Sequence, residues 1–314
     1  MLSYSLIAPA KINLYLEIIS DRPDGYHELA MVMQSINLAD KIDIAANGYE
    51  SIRVYCDNSD VPNDKTNLAY RAAQLMATTF PEKSANYGGV DITIHKHIPI
   101  AAGLAGGSTN AAAVLVGINL LWNLGLTQSE IAELGAEIGS DVPFCVLGGT
   151  AIATGRGEQL AALPSLDKIY IVLGKYRSLC VSTPWAYKSY RQEFGDSYIR
   201  DKDSLAARAN AVHSAPMVKA ILSKDINEIS QRLHNDLEKV VLPEYPQVSQ
   251  LREIFASTGT LGTMMSGSGP SVFTICESVE QAQNVKAKIR EAIPDPDLEL
   301  FVTQFISHGI HLAA

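Results

Sequence analysis

Pro99-Ile100-Ala101-Ala102-Gly103-Leu104-Ala105-Gly106-Gly107-Ser108-Thr109-Asn110 runs directly into Ala111-Ala112-Ala113-Val114-Leu115-Val116-Gly117-Ile118-Asn119-Leu120-Leu121. The second half is apolar on nearly every face, so it predicts a buried helix over 111–121. The first half is a loop of small residues that lets a ligand approach the backbone closely. A helix starting just after it aims free N–H groups and the positive end of its dipole at that ligand. Ser108 and Thr109 add hydroxyl donors, and together these parts describe a phosphate cradle. No Lys precedes Ser108, so this is not a Walker A loop. The same residues also fit a helix packed tightly on its neighbour through small side chains.

Outward from this stretch, strand and helix patterns are interspersed. Ile12, Leu14, Leu16 and Ile18 alternate with polar residues, predicting a strand over 4–19 with Lys11 and Asn13 on one face. Asp24-Gly25 marks a turn. Strands follow near 28–38, 41–46 and 90–94, with a helix over 67–79. Thr127-Gln128-Ser129-Glu130 is a capping box, and Gly139 is expected to end that helix in a left-handed cap. Gly148-Gly149 turns the chain into a strand at 150–154.

From about 155 the texture changes. A short strand at 169–173 leads to a polar, irregular stretch over 195–216. Helices are predicted near 217–223, 226–238 and 246–257. A Gly/Ser/Thr-rich segment at 259–269 precedes a strand at 271–276, a helix from Ser278 to about Ala292 and a strand at 298–303. The expectation is an α+β protein of two lobes, 1–155 and 156–314.

Composition narrows the function. The chain has 314 residues, 47% of them hydrophobic, which suits two packed lobes better than one core. A net charge of −9 argues against non-specific nucleic-acid binding and a polybasic membrane anchor, yet leaves room for a local basic pocket. Cys56, Cys145, Cys180 and Cys276 lie far apart, without the spacing of a disulfide scaffold or thiolate zinc site. The first residues carry no basic segment before an apolar run, and the apolar stretch 111–122 falls short of the ~20 residues that span a bilayer. A soluble cytoplasmic protein is expected, although a trimmed organellar one would read the same.

Single residues are ambiguous by themselves. Asp141, in Ser140-Asp141-Val142-Pro143, is a good N-cap for a following helix. Lys11 and Asn13 read as a solvated strand face. Catalysis requires Lys11 and Asp141 to meet across a cleft, which sequence spacing does not fix. There, a carboxylate held ionised by an ammonium accepts a hydroxyl proton, and the ammonium stabilises the developing alkoxide. Gly25-Tyr26-His27 offers stacking and hydrogen bonding to a planar group, or is a plain hairpin tip. Trp185 and Tyr187 are candidates for stacking on a base, or core aromatics. His95 and His97 share a strand face, but no further metal ligand lies near them in sequence. Ser266-Gly267-Ser268-Gly269 reads equally as an anion nest or a turn.

Residues 99–112 resemble the phosphate loop of the GHMP kinase superfamily. Pro9-Ala10-Lys11-Ile12-Asn13-Leu14 and Arg22-Pro23-Asp24-Gly25-Tyr26-His27 are similar to the N-terminal signature of one branch, which phosphorylates a cytidine diphosphate-linked methylerythritol. Gly139-Ser140-Asp141-Val142-Pro143-Phe144 resembles that branch's catalytic-aspartate segment. Met265-Ser266-Gly267-Ser268-Gly269 resembles the third superfamily motif, with Asn235-Asp236-Leu237-Glu238 as a further marker.

The resemblance implies a two-lobed fold, with an N-terminal lobe like ribosomal protein S5 and a ferredoxin-like C-terminal lobe. It implies transfer of the ATP γ-phosphoryl group, with Mg²⁺, to the tertiary 2-hydroxyl of the acceptor. Asp141 would be the general base and Lys11 its partner. Asn13, Tyr26, His27 and Tyr187 would hold the acceptor, His27 reading the cytosine edge and Tyr187 stacking on it. Ala101, Ala102, Gly103, Leu104, Ala105, Gly106, Gly107, Ser108 and Thr109 would hold ATP phosphates, with Asn67 and Lys96 near the nucleotide. Ala101, Ala102 and Ala105 stand where some members carry glycine, so each keeps φ negative or accepts strain. No glutamate matches the Mg²⁺-holding carboxylate of other members. A homoserine or mevalonate kinase, or a non-catalytic nucleotide sensor, would share the loop, but a sensor has no use for Lys11 with Asp141. Oligomeric state is left open, and no nucleic-acid or membrane partner is expected.

Overall fold

A computed structural model describes residues 2–313. The first half contains β1 (Ser3–Asp21), β2 (His27–Ala46), β3 (Arg53–Cys56), α1 (Leu68–Thr79), α2 (Pro81–Tyr87), β4 (Val90–His95), α3 (Gly106–Leu121), α4 (Gln128–Ile138), α5 (Val142–Leu147), β5 (Thr150–Gly155) and β6 (Gln159–Leu163). The second half contains β7 (Tyr170–Tyr176), α6 (Thr183–Phe194), α7 (Lys202–Ala211), α8 (Pro216–Leu222), α9 (Ile226–Gln231) and β8 (His234–Asn235). It continues with α10 (Glu238–Glu244), α11 (Pro246–Ser257), β9 (Gly262–Met265), β10 (Val272–Cys276), α12 (Val279–Ala292), β11 (Leu298–Gln304) and β12 (His311–Leu312). No helix among the described residues is long and apolar enough to cross a membrane.

The larger sheet is built on one long antiparallel pair, β1 with β2. The upper half of β2 pairs with β4, and the lower half pairs with β5, to which β6 adds. Between the halves the β1–β2 register shifts, Pro9 facing Ala39 and Ala10 facing Ile36. This bulge corrects the sequence reading: the strands expected at 28–38 and 41–46 are one strand, bent where an extra stretch is absorbed. The second sheet is antiparallel in the order β11-β7-β10-β9, with α11 and α12 packed on it, the strand order of a ferredoxin-like lobe. A cut near 155 separates most of the two sheets, but β6 extends the first sheet to Leu163, and β8 and β12 return to β1 from the far half.

α3 lies against β1 and β2, with Ala111 to Leu115 fully buried. Gly117 permits that approach: a Cβ there would meet Ile44 Cγ2 at 2.8 Å. The helix begins at Gly106 rather than 111, because Gly106, Gly107 and Ser108 already form its first turn. The capping box opens α4 as expected, Thr127 Oγ1 accepting from the Glu130 amide and Glu130 from the Thr127 amide. Gly139 does not form a left-handed cap. It is extended at φ −175°, because the chain leaves α4 straight into Ser140 and α5. The helix expected over 226–238 stops at Gln231, because His234 and Asn235 leave it to pair with Tyr15 and Leu16 of β1. The irregular stretch 195–216 contains α7, capped by the Asp201 side chain on the Ser204 amide.

Candidate active site

A cleft of about 780 Å³ opens between the two sheets. Its floor is β1. Lys11, only 5% exposed, donates from Nζ to Asn13 Oδ1 at 2.7 Å, and its backbone N–H bonds to the carbonyl of Leu104 at 3.2 Å. That bond stitches the floor to the small-residue loop. Asp141 stands at the N-cap position of α5, yet its side chain makes no capping hydrogen bond. Its carboxylate instead lies 3.8 Å from Lys11 Nζ and is 32% exposed to the cleft. Both readings left open for Asp141 are thereby distinguished: the residue starts a helix, but its charge faces the amine.

The loop 99–105 and the N-terminus of α3 form one wall. Ala101 and Ala105 take left-handed conformations, φ +49° and +58°, so these two alanines accept the strain; Ala102 does not. Ser108 lines the cleft. Thr109, one residue further round the helix, is fully buried and does not, since successive helical side chains point about 100° apart. Gly103 touches the loop before β10, where Ser266 Oγ donates to its carbonyl at 3.0 Å. Gly267 and Ser268 of that loop also line the cleft. Asn235 braces it, donating to the carbonyls of Met265 and Gly267 at 2.8 Å each. Asp236 pins the same segment to β1 by accepting from the Ile18 amide at 2.8 Å.

Asn67 caps α1 on the Ala69 amide and donates to the Pro62 carbonyl, while still facing the cleft. Lys96 reaches under the start of α3, close enough that a Cβ on Gly106 would lie 2.9 Å from its Nζ. A cation there is held by Asp40, which sequence reasoning missed. Asp40 is fully buried and accepts from Lys96 Nζ, from the His97 and Ile98 amides at 2.7 and 2.8 Å, and from Asn110 Nδ2 at 2.8 Å. It sits where β2 changes partners, and so ties β2, the segment after β4 and α3 together.

The opposite end is aromatic. The Asp24-Gly25 turn, with Gly25 at φ +86° and Asp24 Oδ1 accepting from the Tyr26 amide, sets Tyr26 and His27 at the start of β2. The His27 ring lies 5.2 Å from the Tyr187 ring and meets Tyr198 edge-on at 5.8 Å. Burial, and then the nearby Arg191 charge, lower the His27 pKa to about 4, so its imidazole is neutral at pH 7. Its Nε2 is buried without a hydrogen-bond partner. Burial pushes the Tyr187 phenol well above its usual range. Trp185, two residues earlier on α6, instead packs edge-on against Tyr245 at 5.3 Å. The cations Arg156, Lys188 and Arg191 also line this end. Only the spacing of Lys188 and Arg191 from Tyr187, one helical turn or less, could have signalled them in the sequence. His95 lies outside the cleft, with Nε2 2.8 Å from Asp43.

The cradle fits a nucleotide triphosphate: its wall is a helix N-terminus with open amides, approached through glycines that leave no Cβ in the way. For Mg²⁺, no group of three or more His, Cys, Asp or Glu clusters among the described residues. Ser108 and Asp141 supply oxygens on the cleft surface. That donor set fits an ion carried in on phosphates, as Mg²⁺ commonly is, rather than an all-protein cage.

The profile of "GHMP kinases N terminal domain" matches residues 67–149, and that of "GHMP kinases C terminal" matches 217–295. The chain is 71% identical over 313 residues to 4-diphosphocytidyl-2-C-methyl-D-erythritol kinase of Trichormus variabilis, covering 99% of each. It is 71% identical over 315 residues to the protein of the same name from Nostoc punctiforme, covering 100% of this chain and 99% of that one. A crystal structure of 4-(cytidine 5'-diphospho)-2C-methyl-D-erythritol kinase superposes with a TM-score of 0.72 at 28% identity, over 97% of this chain and all of that one. Homoserine kinase from Cytophaga hutchinsonii shares the fold, with a TM-score of 0.75 at 18% identity, over 99% of this chain and 97% of that one. The chain therefore belongs to the 4-diphosphocytidyl-2-C-methyl-D-erythritol kinases of the GHMP kinase family.

Proposed function

We propose that this kinase transfers the γ-phosphoryl group of ATP directly to the 2-hydroxyl of 4-diphosphocytidyl-2-C-methyl-D-erythritol, a step of the non-mevalonate route to isoprenoid precursors, with Asp141 as general base. The observation that carries this reading is the Lys11–Asp141 pair, 3.8 Å apart, between a phosphate-binding helix start and an aromatic end containing His27 and Tyr187.

Phosphoryl transfer asks mainly for positioning and charge stabilisation. The amides at the start of α3 and Ser108 hold the phosphates, with Lys96 beside them. Ser108 and Asp141 would face a Mg²⁺ ion brought in on ATP, which would neutralise phosphate charge. Asp141 takes the proton of the tertiary hydroxyl as its oxygen bonds to the γ-phosphorus and the bond to the ADP oxygen breaks. Lys11, fixed by Asn13, orients Asp141 and favours the alkoxide character of the attacking oxygen. No phosphoenzyme forms. The unpartnered His27 Nε2 supplies a directed hydrogen bond to the cytosine edge, and Tyr26 and Tyr187 supply stacking surfaces.

The test is a coupled ADP-release assay with 4-diphosphocytidyl-2-C-methyl-D-erythritol, homoserine and mevalonate as acceptors. Turnover with the cytidylylated acceptor alone is expected. Turnover with an acceptor that lacks cytidine, or slow ADP formation with all three, contradicts the reading.

A further inference from the structure

The small-residue loop before α3 does not favour its own shape. Ala101 and Ala105 hold φ at +49° and +58°, a region costly for any residue with a Cβ. Two such alanines in so short a loop persist only where the surrounding structure over-determines them. Part of that constraint acts at the middle of the loop. There Ser266 Oγ donates to the Gly103 carbonyl, and the Lys11 amide to the Leu104 carbonyl. The ends, where the loop leaves the segment after β4 and enters α3, need a constraint of their own.

Asp40 supplies it. Its Oδ1 accepts from the His97 and Ile98 amides at 2.7 and 2.8 Å, directly before Pro99 opens the loop. Its Oδ2 accepts from Lys96 Nζ and, at 2.8 Å, from Asn110 Nδ2, near the start of α3. One carboxylate of β2 thus holds both ends of the loop at a fixed separation. It is fully buried, so water does not compete for these bonds, and a charged acceptor makes them stronger than neutral ones.

We propose that Asp40 is a positioning residue for ATP. By clamping residues 96–98 to Asn110 it keeps the strained loop in the shape whose amides receive phosphate, and so sets the affinity for ATP rather than for the acceptor. This rests on the proposed function, because it takes the loop as the phosphate site. If Asp40 served only to neutralise Lys96, its removal would have the opposite sign: an unmatched ammonium beneath the start of α3 would attract ATP more strongly.

Asp40→Asn is the diagnostic variant. It keeps size and an oxygen for the two amides, but turns an NH₂ group toward Lys96 Nζ and Asn110 Nδ2, which are themselves donors. Dissociation constants for ATP and for the acceptor are measured separately by calorimetric titration. Asp40→Asn should raise the ATP constant by at least about tenfold and leave the acceptor constant within about twofold. Ala101→Gly/Ala105→Gly added to Asp40→Asn should recover about threefold or more, because glycine takes the positive φ without a Cβ penalty. In the wild type, where the clamp already holds the loop, the same pair should shift ATP binding by less than about twofold. Unchanged or tighter ATP binding in Asp40→Asn overturns the proposal. So does an equal loss for both ligands, the mark of general loosening, or an ATP loss that the glycines do not recover, the mark of a lost contact.

Asn110→Ala opens only the α3 end and is the milder variant should Asp40→Asn not fold; the same loss and the same recovery by glycine are expected. Gly107→Asp tests the reading beneath the proposal. A carboxylate there repels phosphate, and its Cβ would meet only Leu68 Cδ1, at 3.4 Å. Unchanged ATP affinity in Gly107→Asp removes the loop as the phosphate site and the proposal with it. ATP binding lost in Gly107→Asp but kept in Asp40→Asn removes the proposal alone.

Discussion

Ser266 Oγ donates to the carbonyl of Gly103 at 3.0 Å, joining the small-residue loop before α3 to the glycine-rich turn of the other sheet. Gly103 lies at φ +71°, and a Cβ there would sit 2.2 Å from the Ser266 carbonyl oxygen. Gly103→Ala therefore forces the two loops apart. It should cost at least about 2 kcal/mol of stability and most of the turnover. Ala105→Gly is the contrasting variant. It relieves a left-handed alanine of about 1 kcal/mol but adds chain entropy, so stability should stay within about 1 kcal/mol. Denaturant midpoints and kcat for the two variants check this pair.

Asp40 neutralises a lysine in the protein interior. Asp40→Ala leaves Lys96 buried and unpaired and two amides without acceptors, and should cost about 3–5 kcal/mol. Adding Lys96→Met removes the stranded charge, so the double variant should regain a substantial part of that stability. Equal instability of the single and double variants in urea would show that the charge is not what Asp40 is holding.

The Asp236 carboxyl gives a pH signature. Burial pushes its pKa up, but hydrogen bonds from His234, Lys239 and the Ile18 amide outweigh burial and bring it to about 2. A folded pKa below the unfolded value of 3.8 contributes stability above about pH 4 that is lost as pH falls through 2. The contribution is about 2 kcal/mol. Asp236→Asn should be less stable near pH 7 by about that amount, with a flatter stability curve between pH 4 and 2, measured by denaturant titration.

The loop and its helix were legible because a glycine and alanine run opens directly into an apolar stretch. The strand carrying Lys11 was legible from its alternation. What alternation could not reveal was that Asp141 and Lys11 meet, since that depends on how α5 returns to β1. Asp40 was hidden for a related reason: it falls in the gap between the strands expected at 28–38 and 41–46, and only the bulge buries it in a continuous strand. The polar composition of 202–211 concealed α7, none of whose residues is buried. The break after Gln231 was equally unreadable, because it is made by pairing with a strand more than two hundred residues earlier.

His27 is neutral well below physiological pH, with a pKa near 4 set first by burial and then by Arg191. Asp21 is the neighbouring charge that opposes this shift. The acceptor KM should therefore stay flat from pH 8 down to about pH 5 as far as His27 is concerned. His27→Ala should raise the acceptor KM by about 10- to 100-fold, since a lost directed hydrogen bond leaves only sequence-tolerant stacking. The KM for ATP should change little. Steady-state kinetics with each substrate varied in turn measure both, and equal losses for the two would place the base elsewhere.

The proposed chemistry rests on the pairing of Lys11 with Asp141, and Asp141→Asn isolates it. The substitution keeps size and hydrogen bonding while removing the proton acceptor. Single-turnover rates with ATP and 4-diphosphocytidyl-2-C-methyl-D-erythritol, together with an independent ATP-binding titration, should show phosphoryl transfer slowed by about 10²–10⁴-fold with ATP affinity retained. Near-wild-type transfer in Asp141→Asn would contradict the assignment of Asp141 as the base.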